Sequence, residues 1–421
     1  MLGEPIVACL VAIGFGLAFG VGTAEAGEEK VPTRVTADEH NRLLLNGEPW
    51  FPLCLSPTPP PLDAKDPHGR DALEVLAGAG IDSFRIGVRK WDPDYFDTCE
   101  DYLDWLGKHG MYGFLYLREL GTFDPKYPKR KGELREIVQR FRRHPALALW
   151  KNQDEPAWGE PPPATPEDLL SAYRYLRKLD PDHPVWMTHA PRGTVEVWRK
   201  YCKACDIAAV DIYPISVPMG KGSHLPNREI SVVGDYAEWI SQAVDAKKPT
   251  FMVLQVGWSG AIPPANIRVF PTFHQERYMA CQAIINGARG LLFFGMNVAL
   301  EGRDGKLGYN WTFWNEVMRP LLREIGKGSE LHPALLAPDS KLPLTVKGAP
   351  DIEYTCREVG PFLYILAAKR EGSPASIEFS GEFLEGEVQV MFENRKLQAK
   401  DGAFTDRFGR NDVHVYKVRL G

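Results

Sequence analysis

Short apolar runs and amphipathic segments alternate eight times between residues 50 and 325, and this alternation restricts the fold more than any other feature. The runs are 50–55, 81–88, 111–117, 147–150, 184–189, 206–215, 250–256 and 288–296. They are short and largely apolar, as strands buried on both faces are. The segments between them read as helices. Phe96, Cys99, Leu103 and Leu106 fall on one face of 95–108, and Leu134, Ile137, Val138 and Phe141 on one face of 133–142. Thr165 followed by Pro166, Glu167 and Asp168 is a helix start, and Thr272 with Gln275 is a capping box. Eight such units without a Gly-rich dinucleotide fingerprint predict a (β/α)8 TIM barrel rather than a doubly wound sheet.

Around the barrel the pattern changes. Residues 35–49 read as a hairpin lid turning at Asn46-Gly47. Residues 331–344 read as a Pro-containing linker, and 345–421 as a small C-terminal β-sandwich with strands in FLYILAA, ASIEFSG, EVQVMFE and VHVYKV. Residues 1–26 read as a signal peptide, with an apolar run over 6–21 and Ala24-Glu25-Ala26 before Gly27. A retained membrane anchor is the alternative. The barrel domain then spans 27–330, the location is secreted or periplasmic, and no membrane span remains after cleavage. Removing Glu4 and Glu25 takes the formal charge from -5 to -3. No basic run suggests nucleic acid.

Six cysteines remain after cleavage: Cys54, Cys99, Cys202, Cys205, Cys281 and Cys356. Cys202-Lys-Ala-Cys205 has redox or zinc spacing, but no second Cys/His pair accompanies it. Two small buried side chains or one local disulfide is the expected reading, with no metal and no cofactor.

In a parallel barrel, chemistry sits at the carboxyl ends of the strands. HPALALWKNQDEP, residues 144–156, ends the fourth run in two adjacent acids, Asp154 and Glu155, with Pro156 closing the strand. Arg85 lies at the end of run two, His189 at five, Asp211 and Tyr213 at six, Gln255 and Trp258 at seven, and Asn297 at eight. Trp91, Trp158, Trp258, Trp311 and Trp314 fall in or just beyond the loops that follow strands, where core packing is the competing role. Carboxylates, amides and flat aromatic faces suit a carbohydrate. Adjacent strand residues point to opposite sides, so either Asp154 or Glu155 alone can face a substrate.

RLLLNGEPWFPL, FRI, WKNQDEP, DIYP and RYMACQAIINGARGLLFF, in this order over about residues 40–330, resemble the clan A glycoside hydrolases. The resemblance implies a barrel enzyme cleaving O-glycosidic bonds. It implies Glu155 as general acid/base, with Asp154 where the clan has Asn, and Arg85 and Tyr213 as supporting groups. The clan's nucleophilic Glu falls on Gln255, which cannot serve as a carboxylate nucleophile. Asp211 or Asp154 then becomes the partner carboxylate. A carboxyl spacing of about 5–5.5 Å predicts retention, and about 6.5–9.5 Å predicts inversion. The dyad Asp154-Glu155 also resembles that of β-hexosaminidases, in which the substrate's 2-acetamido group replaces the nucleophile. An inactive glycan-binding barrel is the remaining alternative. Substrate-contact candidates are Arg85, His189, Tyr213, Gln255, Trp258, Asn297 and Trp158.

Overall fold

Eight parallel strands close into a barrel in the computed structural model, which describes residues 31–87, 89–257, 269–298 and 302–420. The expected signal peptide and Trp258 lie outside the described residues. The strands are Leu53–Ser56, Ser83–Ile86, Tyr112–Tyr116, Leu147–Lys151, Val185–His189, Ile207–Asp211, Thr250–Gln255 and Leu291–Phe294. They follow chain order around the barrel, and the eighth pairs with the first in the register Leu291↔Leu53 to Phe294↔Ser56.

Alternation along each strand divides two cores. Cys54, Phe114, Leu149, Trp186, Ala209, Phe251 and Leu292 fill the barrel interior. Leu55, Phe84, Leu115, Trp150, Met187, Val210 and Leu254 face the helical layer. The predicted capping box is present at the start of the helix Phe273–Ile285.

The amino-terminal segment forms a three-stranded antiparallel sheet, Val35–Ala37, Leu43–Leu45 and Glu48–Trp50. Asn46 and Gly47 both have positive φ in the tight turn, as its sequence requires. Val35 N–H donates to the Asp182 carbonyl just before strand five, and Asn41 donates to Ala246 before strand seven. Val35, Leu43 and Trp50 join the interior core from that end. This sheet therefore closes the amino end of the barrel, opposite the strand ends that carry the acids.

A short helix, His332–Leu336, leads to the C-terminal sandwich. One antiparallel sheet has three strands and the other five, around Leu363, Ile365, Phe379, Phe404 and Tyr416. Strands Thr345–Lys347, Ile352–Val359, Arg395–Ala399 and Ala403–Phe408 add to the four expected. Their sequences mix charged and apolar residues because one face meets solvent. From Val31 onward the chain is one compact unit. The helix Phe273–Ile285 is buried from Glu276 to Ile284, because barrel lies on one side and sandwich on the other. Across this seam Arg277, anchored on Glu324 within the barrel, donates to the Val413 carbonyl at 2.6 Å, and Gln282 donates to Glu353 at 2.6 Å. No described helix is long and apolar enough to cross a membrane.

Glu276 on that helix is fully buried, and neither carboxylate oxygen has a hydrogen-bond partner. Burial holds its carboxyl well above the usual range. The folded state therefore keeps a proton that the unfolded state releases, so stability falls as pH rises above the ordinary Glu range. Glu276→Met is expected to stabilise the protein at neutral pH by about 1–3 kcal/mol and to flatten that slope. Urea denaturation between pH 5 and 8 measures both effects.

Candidate active site

The two-residue period of each strand decides which side chains reach the carboxyl end of the barrel from inside. Arg85, Tyr116, Lys151, Thr188, Asp211 and Phe294, each the last inward residue of its strand, converge there. Above them is a cavity of about 230 Å³, edged also by Asp154, Glu155, Trp158, Arg192 and Tyr213.

Lys151 ends the fourth strand and is fully buried. Its ammonium lies 2.7 Å from Asp154 Oδ1 and 3.1 Å from Thr188 Oγ1, with the Trp186 ring 4.2 Å away. Arg85 Nη1 approaches the other oxygen, Oδ2, at 3.6 Å. Its guanidinium lies 5.3 Å from the Tyr116 ring centroid and 5.9 Å from that of Phe294. Burial pushes the Asp154 carboxyl up, but Lys151 and Arg85 outweigh it and hold the group below its ordinary range. Burial pulls the Lys151 ammonium down, and Asp154 opposes this only in part. Lys151 does not line the cavity, so it acts through Asp154.

Glu155 follows in the left-handed region, φ 44, where a non-glycine residue costs about 1–3 kcal/mol. Its N–H donates to the Thr188 carbonyl at 3.0 Å, which fixes the turn against strand five. This bend brings the Glu155 carboxyl to the cavity beside Asp154 rather than to the opposite side. Glu155 and Asp211 hydrogen-bond through their side chains, and Tyr213 also bonds Asp211. Burial, then the charge of Asp154, raises the Glu155 carboxyl. Burial, then the charges of Glu155 and Asp154, raises Asp211 much further. Two adjoining acids that cannot both ionise share one proton above the usual carboxylate range. Asp211, only 9% exposed, is the deeper of the two. Tyr213 stacks on Phe294 at 5.6 Å, and burial keeps its phenol protonated.

Asp154, Glu155, Asp211, Arg85, Tyr213 and Trp158 thus meet at one cavity. Three other expected contacts lie elsewhere. His189 faces the helical layer, 1% exposed, stacked on Trp198 at 5.3 Å with Nε2 3.3 Å from Cys202 Sγ. Its neighbour Thr188 takes the inward position. Gln255 is fully buried and does not line the cavity. Its Oε1 accepts from Ile215 N–H at 3.0 Å and its Nε2 donates to the Ile215 carbonyl at 2.6 Å, clasping the loop after strand six. Asn297 is exposed in the turn after strand eight and does not line the cavity. Among the tryptophans, Trp311 and Trp314 are buried in the helical layer, and Trp91 packs on Tyr95, Phe96 and Phe141. Cys202 and Cys205 are buried free thiols.

The clasp makes a specific expectation. Gln255→Glu places a carboxylate oxygen against the Ile215 carbonyl. It is expected to cost about 1–3 kcal/mol at neutral pH, less in acid where the introduced carboxyl keeps a donor, and to create no nucleophile. Denaturant midpoints at two pH values, with turnover measured alongside, check this.

Sequence reasoning passed over Lys151, Thr188 and Arg192. Counting by two from Leu149 places Lys151 on the inward face, and a lysine ending an apolar run is the available signal.

No protein-family model matches the chain, and no curated protein matches it. Solved structures do match. One titled a glycoside hydrolase is 12% identical, covers 93% of this chain and 98% of its own, and has a TM-score of 0.59. A glycoside hydrolase family 5 structure from Bacteroides vulgatus is 13% identical, with coverages of 92% and 94% and a TM-score of 0.59. A GH30 endoxylanase from Clostridium papyrosolvens is 11% identical, with coverages of 88% and 96% and a TM-score of 0.52. At such identities the likeness establishes the fold.

Proposed function

We propose that this protein is an exported glycoside hydrolase whose cavity holds one sugar unit at the scissile bond. The observation that carries the reading is the Glu155–Asp211 carboxyl pair, raised in pKa and edged by Tyr213 and Trp158. Glycoside cleavage needs a carboxylic acid still protonated near neutral pH, and a second carboxylate beside the developing oxocarbenium ion. Glu155 is less buried than Asp211 and delivers the pair's proton to the leaving oxygen. Both groups are then carboxylates next to the positive anomeric carbon, while Lys151 and Arg85 balance Asp154. The cavity, about 230 Å³, is smaller than the ~300–1,000 Å³ of pockets for drug-sized ligands, which favours one ring over a run of rings. The leader over residues 6–21 with Ala24-Glu25-Ala26 supports export.

Retention and inversion by the Glu155–Asp211 pair are told apart by the product anomer. A second reading follows from Asp154, which is kept ionised beside Glu155. In that reading it orients a 2-acetamido group that attacks in place of a protein nucleophile. Release of reducing ends from a panel of neutral, acidic and 2-acetamido glycosides tests the function, with Glu155→Gln and Asp211→Asn as controls. Cleavage by the wild type that both variants lose supports it. Binding without cleavage by any form would leave a glycan-binding barrel. The anomer released separates inversion from the retaining and substrate-assisted routes, and activity confined to 2-acetamido sugars selects the last.

A further inference from the structure

Arg192 is the basic residue of the cavity rim whose guanidinium has no carboxylate partner among the described residues. Its guanidinium lies 5.2 Å from the Trp158 ring centroid and lines the cavity. Among the described residues it has no hydrogen-bond acceptor and no carboxylate within ion-pair distance, although its charge reaches Glu155. Arg85, by contrast, is taken up by Asp154.

The backbone beneath Arg192 is fixed. The Arg192 carbonyl accepts the Trp198 indole N–H at 2.8 Å. The preceding Pro191 carbonyl accepts the Tyr236 hydroxyl at 2.7 Å and His224 N–H at 3.2 Å. Arg192 N–H closes a tight turn onto Ala190 at 2.7 Å. A loop pinned at each carbonyl thus presents a planar fork, set beside an aromatic ring, to the mouth of a cavity. That is a preorganised receptor for a carboxylate or sulfate, which a guanidinium binds through two parallel hydrogen bonds. A neutral sugar can accept single hydrogen bonds from it but leaves its charge unmatched.

From this geometry we infer that the cavity takes an acidic sugar, one bearing a carboxylate or sulfate group, and that Arg192 is the residue selecting it. The inference rests on the reading of the cavity as a sugar site and supplies the substrate class. Arg192 is a specificity residue here, because it bonds a substituent of the ring and not the bond that breaks.

Titration calorimetry of the full chain with matched pairs tests it: glucuronate against glucose, galacturonate against galactose, and glucose 6-sulfate against glucose. In the wild type the acidic member of one pair is expected to bind about 10–100-fold more tightly than its neutral partner, as a charge-assisted bidentate bond gives. Arg192→Met is expected to abolish the difference, the acidic member losing at least about tenfold more affinity than its neutral partner. Arg192→Lys, which keeps the charge and loses the fork, is expected to retain part of it. Thermal melts confirm that both variants fold. Equal binding within every pair, or equal loss of acidic and neutral binding in Arg192→Met, overturns the inference and leaves the sugar site standing. No binding of any of these sugars overturns both.

Discussion

Replacing Glu155 with Gln is expected to lower turnover by about 10²–10⁴-fold, the range for a positioned general acid, with sugar binding retained. An amide keeps the shape of the side chain and its hydrogen bond to Asp211 but carries no transferable proton. The pH profile gives a second, independent readout. Burial and the charge of Asp154 raise the Glu155 carboxyl, and the pair's proton is held above the ordinary carboxylate range. Wild-type activity should therefore persist above that range and fall as the pair deprotonates at higher pH. In the Gln variant the residual rate should lose that alkaline limb. Kinetics on a chromogenic glycoside over pH 4–9 would show both. A variant within tenfold of the wild type would place the proton donor elsewhere.

The second large effect concerns stability. Asp154→Asn removes the counter-charge of Lys151, which is fully buried, and of Arg85, which is nearly so. Asp154 itself is 38% exposed, so its loss costs less than the removal of one partner from a fully buried pair, about 1–3 kcal/mol, carried by the Lys151 charge that stays desolvated. Burial already holds the Lys151 ammonium below its ordinary range. In the variant the folded state binds that proton more weakly still, while the unfolded state keeps it. Stability of the variant should then rise with pH toward the ordinary lysine range, and the deficit should shrink. Adding Lys151→Met should recover part of the loss, since the two residues couple. Urea denaturation of both variants at neutral and alkaline pH measures this. A single variant within about 0.5 kcal/mol of the wild type, the usual scatter for uncoupled surface sites, would mean the pair carries no such charge balance.

Much of the barrel was legible because its strands are buried on both faces, which leaves short apolar runs, and because helix caps such as Thr165 and Thr272 are local chemistry. The carboxyl ends of those runs located the cavity, and Asp154, Glu155 and Asp211 all reach it. Orientation was less legible. His189 and Thr188 are neighbours in one strand, and only the phase of the alternation sends the hydroxyl inward and the imidazole to Trp198. Gln255 has the place of a catalytic side chain in the strand order, yet its amide is engaged by the Ile215 backbone, a partner 40 residues away that no local pattern announces. Lys151 was hidden because a buried lysine is unexpected without knowledge of its counter-ion. In the sandwich, strands such as Ile352–Val359 went unseen because solvent on one face dilutes their apolar content.

The helix Phe273–Ile285 is buried along most of its length, and its one arginine, Arg277, ends on a carbonyl of the last strand of the chain. The C-terminal sandwich therefore works as an outer wall of the barrel. Cutting the chain between them would uncover an arginine, a glutamine and an apolar helix flank at once. The portable unit, for evolution or for an engineer moving this cavity into another protein, is the pair together.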